Sequence, residues 1–68
     1  MSERKITLAA ARVNAGLQQG DVAKRIGVSI VTLNKWEKGL TLPRIDQARE
    51  LANIYKMPLH MIFFARAT

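Results

Sequence analysis

Cationic and amide side chains, rather than nucleophiles, are the chemistry this sequence concentrates. Asn34, Lys35 and Lys38 lie close together, Ile30 and Val31 precede them, and Ser29, Thr41 and Arg44 flank the group. A lysine ammonium can donate to the O6 and N7 acceptors of guanine. An asparagine amide can pair with the donor and acceptor of adenine, and branched aliphatic groups can meet a thymine methyl. Catalysis has far less to work with. The hydroxyls of Ser2, Thr7, Ser29, Thr32, Thr41 and Thr68 have no plausible base beside them, and the carboxylates are scattered. One histidine, His60, with no cysteine cannot assemble a metal centre. No enzyme activity, metal or cofactor is therefore expected, and His60 reads as a surface residue.

Charge points the same way as these side chains. Eleven Lys and Arg stand against five Asp and Glu in 68 residues, a formal charge of +6, so a polyanion is the expected partner. The length allows one domain, 1–68, and 49% hydrophobic residues suffice for a compact core. Without cysteines the chain suits a reducing cytoplasm. No stretch has the length of a signal peptide's apolar region or of a membrane span, so a soluble protein that is not exported is expected. A membrane-surface role fails as well, because the cations are spread along the chain and the apolar helix faces are needed for the core.

The elements that must position these groups are short helices. Gly16, Gly27, Gly39, Pro43 and Pro58 punctuate the chain, and the spacing predicts an all-α, compact bundle of five short helices with no sheet. The first starts after the N-cap Thr7 and runs to Ala15, with Leu8, Ala11 and Ala15 inward. The second covers about Gln19 to Ile26, with Val22, Ala23 and Ile26 on one face. Ser29 caps a third running to about Lys38, ended by Gly39. Only Val28 separates turn from cap, so the two helices must meet steeply, which is helix-turn-helix geometry. A fourth, about Arg44 to Tyr55, turns Ile45, Ala48, Leu51, Ala52 and Tyr55 inward. Pro58 opens a short last helix carrying Leu59, Ile62 and Phe63. Residues 1–5 are expected to form a flexible arm and 65–68 a frayed tail.

Arg12, the run Gly16-Leu17-Gln18-Gln19, Val22-Ala23, Ile26-Gly27-Val28-Ser29, Thr32-Leu33, Trp36-Glu37, Gly39 and Pro43 form an ordered set. With it the stretch from Ala11 to Phe63 resembles the Cro and phage-repressor type, or XRE-like, helix-turn-helix family. The resemblance implies a repressor-like DNA-binding domain that binds two-fold symmetric operators as a homodimer. It also implies that Arg12 and Glu37 form a structural ion pair holding the first helix against the third. The short chain looks like a Cro-like regulator in a prokaryotic nucleoid or encoded by a phage. Gln18, Gly20 and Lys56 depart from the family at helix ends. Ile30 and Val31 stand where the family more often carries polar side chains.

On a helix advancing about 100° per residue, Leu33 and Trp36 fix the buried direction. Val31, Lys35 and Lys38 then point nearly opposite, with Asn34 on one flank and Ile30 on the other. The expected function is sequence-specific binding of double-stranded DNA by a small transcriptional regulator, with the helix from about Ser29 to Lys38 in the major groove. Ile30, Val31, Asn34 and Lys35 are the expected base contacts. Gln19, Ser29, Lys38, Thr41 and Arg44 are the expected phosphate contacts, Gln19 because it opens a helix whose free N–H groups attract an anion. Arg4 and Lys5 could reach DNA from the arm. Met57, Met61, Phe63 and Phe64 are more bulky groups than a short segment can bury, so Met61 and Phe64 are expected at a dimer interface. The alternative is an antitoxin or antirepressor-like protein-interaction module that uses Ile30, Val31, Met61 and Phe64 against a protein partner.

Overall fold

A computed structural model of the chain describes residues 5–64. Its elements run β1 (Ile6–Thr7), α1 (Leu8–Asn14), α2 (Gln19–Ile26), α3 (Ile30–Lys38), α4 (Ile45–Tyr55), a 3-10 turn (Leu59–Met61) and β2 (Ile62–Phe63). Two helix starts are fixed by a hydroxyl. Thr7 Oγ1 accepts from the Ala10 N–H at 3.1 Å and Ser29 Oγ from the Thr32 N–H at 3.1 Å, each satisfying a donor with no partner inside its helix. At α4 the Arg44 N–H donates to Gln47 Oε1 at 2.9 Å.

All four helices end by one device. The N–H of Leu17, Val28, Leu40 and Met57 reaches back five residues, to the carbonyls of Arg12, Ala23, Lys35 and Ala52, at 2.9–3.2 Å. This closure needs the preceding residue in the left-handed region. Glycine supplies it without steric cost at Gly27 (φ 83°) and Gly39 (φ 75°), whereas at the end of α4 Lys56 adopts φ 56° itself. The residue after the turn then folds over its helix, and Leu17, Val28 and Met57 pack against the core in this way. Leu40 does not, and stays 60% exposed.

The core draws on every helix. Leu8 and Ala11 of α1, Val22 and Ala23 of α2, Leu33 and Trp36 of α3, and Leu51, Ala52 and Tyr55 of α4 form one buried cluster with Ile62. Leu33, Leu51 and Val22 are fully enclosed. Loss of any of these side chains would cost about 2–5 kcal/mol through lost burial and the cavity left behind.

Four expectations need correction. The described residues hold four α-helices rather than five, because the chain after Pro58 makes only the single 3-10 turn Leu59–Met61. A sheet is present: Ile6 pairs with Ile62 and Thr7 with Phe63 in a two-residue parallel ladder. Seven residues from Pro58 to Phe64 are too few for a stable helix, and the extended form carries Ile62 into the core at 3% exposure. Ala15, expected inward, is exposed, since α1 stops at Asn14 and Ala15 serves as its C-cap. Ile45, also expected inward, is 64% exposed because it is the first residue of α4, one turn before the core begins at Ala48. The arm residues 1–4 and the tail 65–68 lie outside the described residues.

Candidate nucleic-acid interface

The turn between α2 and α3 sets the interface. The N–H groups of Gly27 and Val28 both donate to the Ala23 carbonyl, at 2.9 and 3.0 Å, and Val28 packs inward. With Ser29 then capping α3, the chain reverses in three residues. Leu33 and Trp36 bind α3 to the core, which leaves its other side in solvent. There Ile30 is 51% and Val31 63% exposed, and Lys35 and Lys38 are exposed beside them. An exposed pair of branched aliphatic residues at the start of a helix, continued by two lysines, offers apolar contact and strong donors along one face.

Around this face stand the groups suited to phosphate. Ser29 and Thr41 are exposed at the two ends of α3. Arg44 is exposed and loosely paired to Asp46, Nε to Oδ1 at 3.3 Å, with both side chains more than 70% in solvent. A pair so open to water holds its arginine weakly. Lys5, exposed at the edge of the described residues, lies instead at the groove lined by Leu42 and Ile45, and Arg4 lies outside the described residues.

Gln19 and Asn34 are placed differently, in a network that sequence reading did not find. Arg12 Nε donates to Glu37 Oε2 at 2.7 Å and Nη2 to Oε1 at 3.3 Å, while Nη1 donates to the Leu17 carbonyl at 3.0 Å. The side chains are 16% and 6% exposed. The hydrogen bonds to Glu37 hold the Arg12 guanidinium's pKa above its ordinary value against the opposing effect of burial. Gln19 Nε2 donates to Glu37 Oε1 at 2.9 Å and to Asn34 Oδ1 at 3.3 Å. Arginine, carboxylate and two amides thus join α1, α2 and α3 behind the exposed face. The signal available in sequence was the Arg12–Glu37 pair alone. That Gln19 and Asn34 meet at its edge depends on how α2 docks on α3.

A second feature escaped sequence reading. Leu40, Leu42 and Ile45 are 60%, 45% and 64% exposed over six residues of chain. Leu42 and Ile45, with Pro43, Ala48, Leu59, Ile62 and Phe64, line a mostly apolar groove of about 440 Å³ whose wall also includes Lys5 and His60. Phe64 thus belongs to an apolar recess. Met61 is half-buried and is not part of its lining. The apolar run Leu40-Thr41-Leu42-Pro43 in a loop was the available signal.

Two helices joined by the tight turn at Gly27, with the second presenting a cationic and aliphatic face, define a helix-turn-helix protein. A helix-turn-helix family model matches residues 8–62, and the chain belongs to that family, in its XRE-like, Cro and repressor group. It is therefore a member of a family of DNA-binding transcription regulators, which are not typically enzymes. No curated protein and no solved structure matches the chain. Among the described residues no helix is long and apolar enough to cross a membrane.

Proposed function

We propose that this chain is a repressor-like regulator that reads a specific duplex sequence as a homodimer, with α3 in the major groove. The observation that carries the reading is the exposed side of α3: Ile30, Val31, Lys35 and Lys38 face solvent while Leu33 and Trp36 hold the helix to the core. Lys35 reads a guanine, and Ile30 and Val31 meet thymine methyls. Lys38, Ser29, Thr41 and Arg44 hold phosphates on either side and supply affinity without sequence preference. Both side-chain hydrogens of Gln19 are engaged within the protein, so its phosphate contact is proposed through the backbone N–H groups that open α2.

The dimer face is proposed at Leu40, Leu42, Ile45 and Phe64. Leu40 follows a helix end yet stays 60% exposed, where its three counterparts are half-buried against the core, and Leu42, Ile45 and Phe64 line the apolar groove. A second copy covers this patch and places two reading helices on one side of the duplex. Occupying an operator then blocks or recruits polymerase in the cytoplasm of a prokaryotic or phage-infected cell. The same patch also favours a second reading, in which it docks a different protein, as in an antitoxin or antirepressor.

Selection of bound duplexes from a random-sequence pool at near-physiological salt tests the proposal. An inverted repeat with half-sites about 34 Å apart is the expected product. A single half-site would remove the dimer and keep the reader. Binding with no enriched sequence would overturn the sequence-reading function and favour the protein-docking alternative.

A further inference from the structure

The two side chains that open α3 have no hydrogen to donate and no lone pair to accept one. Ile30 and Val31 are 51% and 63% exposed, on the side of the helix that Lys35 and Lys38 continue. Those two charges suit the face to a nucleic acid. A Cβ added at Gly20 would lie 3.6 Å from Ile30 Cδ1, so the tip of Ile30 lies beside the first turn of α2. Both side chains are β-branched, and on a helix χ1 of such residues is largely confined to one rotamer. Their methyl groups are therefore presented in a nearly fixed arrangement.

Such a pair senses only part of a base edge. In the major groove thymine and cytosine differ at C4, where one offers an acceptor and the other a donor, and at C5, where thymine alone carries a methyl group. A hydrogen-bonding side chain tells them apart at C4. Ile30 and Val31 cannot, and the difference left to them is the methyl group. Cytosine methylated at C5 carries that same group at the same place on its edge. Resting on the reading of α3 as the helix in the groove, we propose that Ile30 and Val31 recognise 5-methylcytosine as well as thymine, so that methylating an operator cytosine at their position strengthens binding. Taking one methyl group out of water should raise affinity about fourfold.

Duplex selection first supplies the operator, and Ile30→Ala and Val31→Ala, both at exposed positions, identify the thymine that each relaxes. Thermal melting verifies the fold of both variants. Binding is then measured with thymine, uracil, cytosine or 5-methylcytosine at that position. Thymine against uracil isolates the methyl group opposite adenine, and 5-methylcytosine against cytosine isolates it opposite guanine, so the purine on the other strand cancels from each ratio. The wild-type chain should bind the methylated member of both pairs about fourfold more tightly, and both ratios should fall toward one in the alanine variant. A gain for thymine without one for 5-methylcytosine would overturn the proposal. So would gains that persist unchanged in both variants, or an operator at which neither variant relaxes a thymine. In each of these cases the enriched operator preserves the DNA-reading function and only the methyl contact fails. Binding with no enriched duplex overturns that function, and the proposal with it.

Discussion

At Arg12 three hydrogen bonds converge on one planar guanidinium, two to Glu37 and one to the Leu17 carbonyl. Such a site is unforgiving of changes that leave a partner behind. Arg12→Ala strands a carboxylate that is 6% exposed, and should lower unfolding free energy by about 3–5 kcal/mol in a denaturant titration. Arg12→Lys should recover only part of this, since an ammonium cannot reproduce the planar fork. Tyr55 presents the opposite case. Its buried hydroxyl has no hydrogen-bond partner among the described residues, so Tyr55→Phe loses none and should change stability by less than about 1 kcal/mol at neutral pH. Burial, aided by the nearby Glu37 charge, pushes the phenol up to about 12. The unfolded phenol titrates near about 10, so folding favours the neutral form. That contribution is intact below about pH 10 and is lost as pH rises toward 12. Tyr55→Phe should therefore flatten the alkaline fall in stability over that window, and parallel curves for the two proteins would contradict the assignment. On the exposed side of α3, Lys35→Ala should relax one base position by about 1–3 kcal/mol, while Lys38→Ala weakens all sequences alike. Equal, uniform losses from both would remove Lys35 from base reading.

Among the elements, α4 alone ends on a side chain forced into the left-handed region. Lys56 at φ 56° bears a steric cost that glycine avoids at the ends of α2 and α3. Lys56→Gly should raise stability by up to about 1 kcal/mol, read as a higher melting temperature. Helix ends were the part of this fold most legible in the sequence, and the reason is locality. Ser29 and Gly27 lie within a few residues of the groups they cap, so the bounds of α2 and α3 follow from adjacent residues. The chain after Pro58 had no such help. Leu59, Ile62 and Phe63 suit a helix or an extended run equally, and the decision comes from pairing with Ile6 and Thr7 at the far end of the sequence. Ile45 misled for a related reason, since a helical wheel assigns it a direction but not a depth along α4. The candidate site was legible to the same degree. The exposed face of α3 follows from Leu33 and Trp36, whereas the meeting of Gln19 with Asn34 is a product of docking.

For the whole molecule, the uneven surface is the informative feature. Lys35 and Lys38 lie along the exposed side of α3, other exposed cations such as Lys24, Arg25 and Arg49 stand on α2 and α4, and Leu42 and Ile45 give an apolar patch at the groove. Ile45→Lys places a charge at a residue already 64% exposed, so the melting temperature of the monomer should hardly move. Sedimentation should instead show a dimer shifted to monomer, and half-site affinity should survive while the cooperative gain from the full operator is lost. A wild-type chain that sediments as a monomer at every concentration would remove the second copy from this face.

The ladder between Ile6–Thr7 and Ile62–Phe63 ties the two extremities of the described chain together, with the whole helical bundle as the loop it closes. Closing so long a loop is entropically costly and is repaid by only a few hydrogen bonds and the burial of Ile62, which makes it a natural first seam to open in a local fluctuation. Ile62 and Phe64 also line the groove, so an open seam dismantles that wall. Occupancy of the groove and closure of the seam must then favour each other reciprocally. On the proposed dimer, in which a second copy covers the groove, amide exchange at Thr7 and Phe63 should slow as protein concentration rises, and the seam would then gauge assembly; exchange independent of concentration would remove the second copy from the groove.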